Sequence, residues 1–510
     1  MNDTIDIYYG DCGEHLTWRL DPFFGELTIK GYGAMDDYPP FVMEAGIAYL
    51  SPWYSHRKDI RRVMLPDGLT RISNGVFAHC INLTDVNFPA SLTSIGGMAF
   101  SGCSMKEVTF PEGLTSIGKD AFNRCDNLTS ITFPESLTEI GKYAFYGCKK
   151  LKEITFSNGL TSIGEGAFVG CECLEEVTLP EGLTSLGERM FAGCEGLKQV
   201  SLPDGFTSIG TAFSGCDCLT AFSVAPTNPN FSTKDGIVFN KKGTKLIRYP
   251  SGRTGAYTIP TGVTSIGNYA FNSCTRLTSI TFPKGLKSIG AFAFEGCKRL
   301  TQVSLPDGLT KIGKNAFAGC EWLEEVTFPE GLTSIGGEAF SGCDSLTSII
   351  FPASLTSIGE MAFYRCSELT TVIFPKGLTR INKYAFCGCE GLMQIVLPDG
   401  LTSIDEGVFK DCKRLTLVIF PKGLTRIGRR AFKDCKSLTQ VIFPEGLTSI
   451  DYWAFEGCEG LTQVILPDGL TYIGKWAFYN CTGLSNIAIP ASVTEIGEYA
   501  LDFEGRGPSY

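Results

Sequence analysis

Hydrophobic residues recur along this chain with a fixed period of 23 positions. One copy occupies residues 320–342 and reads C-E-W-L-E-E-V-T-F-P-E-G-L-T-S-I-G-G-E-A-F-S-G, and Cys343 begins the next copy. Most copies fit the frame C-x-x-L-x-x-[VI]-x-[FL]-P-x-[GS]-L-T-x-I-G-x-x-A-F-x-x. A repeat of this length indicates a solenoid, in which stacked coils bury one continuous hydrophobic core.

The polar and apolar positions within one copy predict a strand followed by a turn and a short helical segment. Residues two apart on a strand share a face, so Val326 and Phe328 are expected to point inward while Thr327 faces solvent. Pro329 has no amide hydrogen to donate and is expected to end the strand. Five later positions are predicted to return to the interior, the last three on one helical or 3₁₀ turn: Leu332, Ile335, Ala339, Phe340 and Cys343.

The recurring phrase L-T-S-I-G-x-x-A-F-x-x-C-x-x-L-x-x-[VI]-x-[FL]-P resembles the BspA-like class of bacterial leucine-rich-repeat surface proteins. The likeness covers nearly the whole chain. It implies an α/β repeat fold, a right-handed leucine-rich-repeat solenoid of about 18 coils. It also implies a non-catalytic adhesion protein, secreted or at the bacterial cell surface, whose partner is a protein of the host, the extracellular matrix or a neighbouring cell. The alternative is a structural scaffold that associates with itself.

Interruptions of the repeat divide the chain into segments. Residues 15–20 and 26–30 alternate in polarity on either side of a turn at residues 21–25, which predicts a hairpin that covers the open end of the first coil. Residues 236–240 and 244–249 predict a second hairpin, either a spacer between arrays or a binding element. The predicted segments are a capping segment (1–59), a first array (60–224), a hairpin insertion (225–255), a second array (256–503) and a tail (504–510).

The charge balance bears on the kind of partner. The chain carries 44 Lys and Arg against 54 Asp and Glu, a net charge of −10, whereas a nucleic-acid-binding protein would carry a basic face. No apolar run approaches the roughly 20 residues of a membrane span. The first residues lack the basic start and apolar core of a signal peptide. The resemblance therefore favours a secreted protein whose signal is absent from this sequence, and a cytosolic protein is the alternative.

Seventeen of the 21 cysteines occupy one position of the frame, which predicts a buried ladder of reduced thiols. Equivalent side chains of stacked coils run parallel, a poor geometry for disulfides. Cys173, Cys218 and Cys387 each lie two residues from a ladder cysteine, and a metal site at these C-x-C motifs is the weaker interpretation. The ladder comprises Cys80, Cys103, Cys125, Cys148, Cys171, Cys194, Cys216, Cys274, Cys297, Cys320, Cys343, Cys366, Cys389, Cys412, Cys435, Cys458 and Cys481.

Nothing in the sequence resembles a catalytic or cofactor-binding site. The three histidines, His15, His56 and His79, do not accompany a nucleophile motif. The glycines follow the repeat rather than a phosphate-binding loop. Carboxylate pairs such as Glu324 and Glu325 recur with the period, whereas a glycosidase needs one unique pair across a cleft. We therefore expect a protein without enzymatic activity or cofactor.

One solvent-facing strand position changes character along the chain. It is Thr or Ser in the coils from Thr109 to Ser223 and from Thr281 to Thr327, and it then becomes aliphatic in six consecutive coils. With strands about 4.8 Å apart, these six side chains would form a stripe about 25 Å long. We interpret it as a site for a protein partner or a second copy; the alternatives are that β-branched residues merely favour strands or that the sheet is covered. This stripe consists of Ile350, Ile373, Val396, Ile419, Ile442 and Ile465.

A basic run is the second candidate surface. Its positive charges follow one another over two coils and would suit acidic polymers or anionic glycans. The alternative is an ordinary solvated face with interspersed carboxylates. The candidate patch consists of Arg414, Lys422, Arg426, Arg429, Arg430 and Lys433.

Overall fold

The computed structural model describes residues 7–38, 40–43, 46–49 and 51–505, and its regular structure is nearly all β-strand. The chain forms a repeat solenoid of about 19 turns. It divides into two compact units, the first comprising Met1–Lys241 with Pro250–Arg253 and the second Lys242–Tyr249 with Thr254–Tyr510. In the described part of the chain, a 3₁₀ turn at Tyr54–His56 is the one helical element.

The first unit begins with a three-stranded antiparallel sheet, in which β2 pairs with β1 and with β3. Strand β3 then runs parallel to strands of the first coil, so the N-terminal sheet continues into the stack. The buried Trp53 lies over this end of the core, stacks on Phe77 and donates its indole N–H to the carbonyl of Val76 at 2.9 Å. The N-terminal strands are β1 (Tyr8–Gly13), β2 (Leu16–Asp21), β3 (Glu26–Ala34), β4 (Pro40–Met43) and β5 (Gly46–Tyr49).

Most coils of the first unit carry two short strands, each parallel to its equivalent in the neighbouring coil. The first strands are β6 (Arg62–Met64), β8 (Asp85–Asn87), β10 (Glu107–Thr109), β12 (Ser130–Thr132), β14 (Glu153–Thr155), β16 (Glu176–Thr178), β17 (Gln199–Leu202) and β18 (Ala221–Val224). The second strands are β7 (Gly68–Ile72), β9 (Ser94–Ile95), β11 (Ser116–Ile117), β13 (Glu139–Ile140) and β15 (Ser162–Ile163). Strands β19 (Phe231–Lys234) and β20 (Ile237–Asn240) form an antiparallel hairpin.

The second unit repeats the arrangement with greater regularity. Its first strands are β22 (Gly255–Thr258), β24 (Leu277–Thr281), β26 (Gln302–Ser304), β28 (Glu325–Thr327), β30 (Ser348–Ile350), β32 (Thr371–Ile373), β34 (Gln394–Val396), β36 (Leu417–Ile419), β38 (Gln440–Ile442) and β40 (Gln463–Ile465). Its second strands are β21 (Lys245–Arg248), β23 (Ser265–Ile266), β25 (Ser288–Ile289), β27 (Lys311–Ile312), β29 (Ser334–Ile335), β31 (Ser357–Ile358), β33 (Arg380–Ile381), β35 (Ser403–Ile404), β37 (Arg426–Ile427), β39 (Ser449–Ile450), β41 (Tyr472–Ile473) and β42 (Glu495–Ile496).

The predicted inward positions form the core of both units. Val326 and Phe328 are buried, whereas Thr327 between them is exposed, as strand alternation requires. Phe340 has no exposed surface and stacks between Phe317 and Phe363, with ring centroids 5.2 and 5.3 Å away. The inward assignment is therefore confirmed, and one stacked column of phenyl rings runs through each array.

The predicted helical turn is replaced by a series of hydrogen-bonded turns. Glu338 and Gly342 both adopt left-handed backbone angles, with φ of 56° and 68°, so no run of right-handed residues is long enough for a helix. The amides alternate in direction. Those of Glu338, Phe340 and Gly342 donate to the next coil, and those of Ala339, Ser341 and Cys343 close local turns. Half of these hydrogen bonds therefore join coils that a helix would leave unconnected.

A second strand, present in most coils, is a feature that the sequence did not predict. The segment L-T-x-I pairs with its equivalents above and below, as in Ile335 with Ile312 and Ile358. Its threonines form a further ladder, in which the Thr333 hydroxyl donates to the carbonyl of Thr310 at 3.2 Å. The β-branched pair Thr and Ile in most copies was the available signal.

The hairpin insertion contains a strand that the sequence did not predict. In the first unit β20 pairs with β19 around Asp235 and Gly236, and Asp235 has a φ of 51°. The sequence did not predict β19, and the predicted pairing of residues 236–240 with 244–249 stays a prediction. The latter segment contains β21, which belongs to the second unit and runs parallel to β23 there.

The cysteine ladder is buried and reduced, as predicted. All 17 ladder cysteines are buried free thiols. In each unit, every ladder thiol after the first donates to the carbonyl of the column phenylalanine 25 or 26 residues earlier. Cys343, for example, donates to Phe317 at 3.3 Å. A cysteine thus combines small apolar volume with a weak hydrogen-bond donor, which alanine lacks.

This burial predicts the pattern of thiol labelling. Of the 21 cysteines, only Cys173 and Cys218 are exposed. We expect the native protein to react rapidly at two thiols per chain and at the remaining 19 (21 − 2) only after unfolding. Mass spectrometry after brief iodoacetamide treatment, with and without urea, measures both numbers. Rapid native labelling at Cys343 would contradict the buried ladder.

Candidate functional site

The six stripe residues lie on the outward side of consecutive first strands in the second unit. We call this surface, formed by strands β30 to β40, the front face. Each stripe residue directly follows a buried Ile or Val, so the alternation that fills the core also exposes the stripe. The six side chains are between 47% and 65% exposed, and Ile350 is the most exposed. Within this chain the face is not covered, which removes one of the alternatives.

The register aligns the stripe residues across the coils. Ile350 pairs with Ile373, Val396 with Ile419, and Ile442 with Ile465. The residue two positions earlier in each strand faces the same way and is uncharged throughout. These are Ser348, Thr371, Gln394, Leu417, Gln440 and Gln463. In the first unit the same column contains Glu107, Glu153 and Glu176. The aliphatic column therefore distinguishes the front face, whereas the second column is also uncharged in some other coils, for example at Gln199 and Gln302.

A groove of about 760 Å³ opens on the front face between β32 and β34. These strands are adjacent, but no ladder joins them in the part of the chain that the structure describes. Ile373, Val396 and the half-exposed Met393 give the groove apolar walls, and Lys376 and Asp399 stand at one end.

An equivalent groove of about 750 Å³ between β14 and β16 of the first unit has the opposite chemistry. It is lined by Glu153, Glu175, Glu176 and Glu181 with Lys152. The break in the ladder thus recurs, and the side chains decide what each groove can receive.

The predicted basic patch is not one cluster. Its residues follow a single coil around its circumference, from Arg414 before β36 through Lys422 in the turn and Arg426 on β37 to the later turns. Arg426 pairs with Asp451 at 2.6 Å and Lys433 with Glu456 at 2.6 Å. Neighbouring coils thus supply carboxylates to much of the run, which favours the alternative of a solvated face.

Glu406 illustrates how closely those charges are balanced. Burial raises the pKa of the Glu406 carboxyl, but hydrogen bonds from Tyr384 and Lys383 and the charge of Arg429 outweigh it. Its pKa therefore lies below the ordinary value, and the carboxylate remains ionised beside the arginine. Arg429 and Arg430 also lie over the Trp453 ring, 4.7 and 4.8 Å from its centroid.

Aromatic residues recur at the left-handed position of the turn. Trp453 and Trp476 have φ near 57° and stack at 5.0 Å, and Tyr269 stacks on Phe292 at 4.9 Å. Their faces contact one another or a cation, as Lys475 contacts Trp476. This arrangement agrees with a role in covering the seam between coils.

The other features that could indicate a function are metal-binding groups, exposed cysteines and membrane-spanning helices. Among the described residues no group of three or more His, Cys, Asp or Glu side chains is placed to hold a metal ion. Cys173 and Cys218 are exposed and Cys387 is buried. In that same part of the chain, no helix is long and apolar enough to span a bilayer.

Comparison with known proteins identifies the family of the repeat. The family model for the BspA-type leucine-rich repeat region matches residues 53–152, 138–257, 249–370, 291–416 and 402–505. The chain belongs to this family. BspA-type repeat proteins are bacterial and often surface-associated, and leucine-rich-repeat folds generally mediate protein interactions. No curated protein matches this BspA-type chain.

Several solved structures resemble this BspA-type protein. A leucine-rich repeat protein from Bacteroides ovatus is 27% identical, with 75% of this chain and 87% of that one covered and a TM-score of 0.43. A leucine-rich cell surface protein from Faecalibacterium prausnitzii is 25% identical, with coverages of 82% and 96% and a TM-score of 0.41. The pneumococcal vaccine antigen PcpA is 20% identical, with coverages of 97% and 99% and a TM-score of 0.39.

Proposed function

We propose that this protein is a non-catalytic binding solenoid, secreted or displayed at the bacterial cell surface, that engages a protein partner through the front face. The observation that carries the proposal is the exposed stripe from Ile350 to Ile465. Six aligned aliphatic side chains, each about half exposed, form a contiguous apolar surface of a kind that soluble monomers seldom leave uncovered.

The surroundings of the stripe support a protein rather than a glycan or nucleic acid as the partner. The two exposed columns of the front face contain aliphatic and uncharged polar side chains, which suit the desolvated centre of a protein interface. Anionic polymers would require unpaired cations, and much of the basic run is paired with carboxylates.

The groove between β32 and β34 gives the face a recess. A side chain of a partner that fills a pocket lined by Ile373, Val396 and Met393 would be removed from water, and such anchors provide most of the affinity in protein interfaces. The partner we propose is a host or extracellular-matrix protein with a complementary apolar patch.

Replacement of Ile373, Ile419 and Ile442 by Thr tests the proposal. Losing half-buried methyl groups at three contacts is expected to weaken partner binding by about 2 kcal/mol, roughly thirtyfold in Kd. Surface plasmon resonance against purified extracellular-matrix and host-cell proteins measures the change. The matched control replaces Thr109, Thr132 and Thr155, at the equivalent positions of the first unit, by Ala. Unchanged affinity in the isoleucine variant would overturn the proposal.

Self-association through the same face is the second candidate function. A row of charges beside the stripe favours it.

A further inference from the structure

Four exposed side chains beside the stripe carry charges of alternating sign. Lys376, Asp399, Lys422 and Glu445 each follow the proline after a stripe strand, one coil apart. We call these four residues the charge row. It lies at one border of the front face, alongside Ile373, Val396, Ile419 and Ile442 respectively.

The charge row makes no ion pair with any residue that the structure describes. Elsewhere, opposite charges one coil apart pair readily, as Lys142 does with Glu165 at 2.9 Å and Lys383 with Glu406 at 3.3 Å. Among the described residues, none of the four charges in the row has an ion-pair partner, although each has an opposite charge one coil away. The row therefore remains available for pairing with another molecule.

We propose that two copies of this protein associate front face to front face, related by a two-fold axis that runs parallel to the strands between β34 and β36. This inference rests on the proposed function, because it uses the same face and names its occupant. Rotation about such an axis reverses the order of the coils and preserves the direction of the strands. The charge row of one copy therefore meets the charge row of the other in reverse order.

The reversed order makes the row self-complementary. Lys376 of one copy meets Glu445 of the other, and Asp399 meets Lys422, so four pairs of opposite charge form in the symmetric dimer. The stripes also meet in reverse order, Ile373 opposite Ile442 and Val396 opposite Ile419. Two facing sheets pack about 10 Å apart, a separation that lysine side chains can cross to reach a carboxylate.

The other face-to-face symmetry leaves the charges unmatched. An axis along the stack would keep the coils in order and reverse the strands. The charge row would then face the residues three positions before each stripe residue, which are Thr370, Met393, Thr416 and Thr439 and carry no charge. The alternation of sign therefore selects the axis parallel to the strands.

The size of the front face limits the expected affinity of the dimer. Six coils at about 4.8 Å spacing give a contact roughly 25 Å long and a short strand wide, at the lower limit of specific interfaces. We therefore expect a concentration-dependent equilibrium between monomer and dimer, and the test requires a concentration series.

Charge exchange within the row tests the proposal. One variant carries Lys376→Glu and Lys422→Glu, so that its row is entirely negative, and another carries Asp399→Lys and Glu445→Lys, so that its row is entirely positive. Each variant alone is expected to dimerise at least about tenfold more weakly than the unmodified protein, because four attractions become repulsions. The equimolar mixture of the two, and a variant with all four changes, are expected to dimerise like the unmodified protein. Sedimentation velocity measures all four cases.

The variants are expected to fold normally. The same turn position holds Ala353 and Asp468 in flanking coils, so the turn accepts either charge or none. Equal thermal unfolding curves would confirm this. A monomeric unmodified protein, or an entirely negative variant that dimerises equally well, would overturn the proposed dimer.

The binding assay with the isoleucine variant separates the two proposals. If the dimer is absent but that variant still loses affinity for a foreign protein, the dimer alone is wrong. If the charge variants dimerise normally and the isoleucine variant also binds foreign proteins normally, the proposed binding function of the front face is wrong as well.

Discussion

Above about pH 9, the free energy of unfolding is expected to fall steeply, because the folded protein keeps its ladder thiols protonated. Burial raises the pKa of the Cys125 thiol to about 12 and that of Cys343 well above its ordinary value. In the unfolded chain the same thiols ionise near pH 8.5. A group whose pKa is raised by folding stabilises the protein below its unfolded pKa, and this contribution is lost as the pH rises towards the folded value.

The number of thiols makes the effect large. Each buried thiol that ionises on unfolding removes about 1.4 kcal/mol per pH unit, so three in one cooperative segment remove about 4 kcal/mol per pH unit. Urea unfolding under reducing conditions at pH 7.5, 9, 10 and 10.5 measures the slope.

Alanine variants isolate the contribution of the ladder. Replacement of Cys320, Cys343 and Cys366 by Ala is expected to reduce the slope above pH 9 by about 4 kcal/mol per pH unit. An unaltered slope in the triple variant would show that other groups cause the alkaline loss.

Phe340→Ala is expected to destabilise the second array by about 3–5 kcal/mol. The ring is fully buried, stacks on Phe317 and Phe363 and meets the edge of Phe328 at 5.7 Å. Removing it leaves a cavity that the neighbouring coils cannot close, because their spacing is fixed by backbone hydrogen bonds.

The repeat architecture also predicts a change in the shape of the unfolding transition. Coils contact mainly their neighbours, so a defect in the middle of an array weakens the coupling between its two sides. We expect the urea transition of the Phe340→Ala variant to broaden or divide when it is followed by circular dichroism. Ile350→Ala, in the same region but on the exposed stripe, is the control and is expected to change stability by less than about 0.5 kcal/mol. If Phe340→Ala also changed stability by less than about 0.5 kcal/mol, the ring column would not be essential to stability.

The sequence predicted the interior of a coil better than its backbone. Positions such as Val326, Phe340 and Cys343 hold apolar residues or cysteine in nearly every copy, and burial explains why. The left-handed turn was harder to recognise, because the position of Glu338 holds Tyr, Trp, Asn, Met or Arg in other coils. Its conformation is imposed by hydrogen bonds to the next coil, which a single copy of the repeat does not reveal.

The two candidate surfaces also differ in how well the sequence predicted them. The stripe depends on strand alternation, which is local, and the structure places all six residues on one exposed face. The basic run depends on where each side chain lies around the coil, and nearness in sequence proved a poor guide. Carboxylates that pair with it, such as Asp451 and Glu456, lie 23 to 25 residues away.

The alternating amides of the turns also determine how such a protein can change in length. Each coil presents the same backbone donors and acceptors to the coil on either side, so gain or loss of a whole 23-residue module would preserve the pattern of backbone hydrogen bonds between coils. A gain or loss of one residue would instead have to be absorbed locally. The 22-residue interval from Cys103 to Cys125 is an example of such a loss. Expansion of the array by tandem duplication is therefore structurally neutral, and the stripe and charge row can diversify one module at a time.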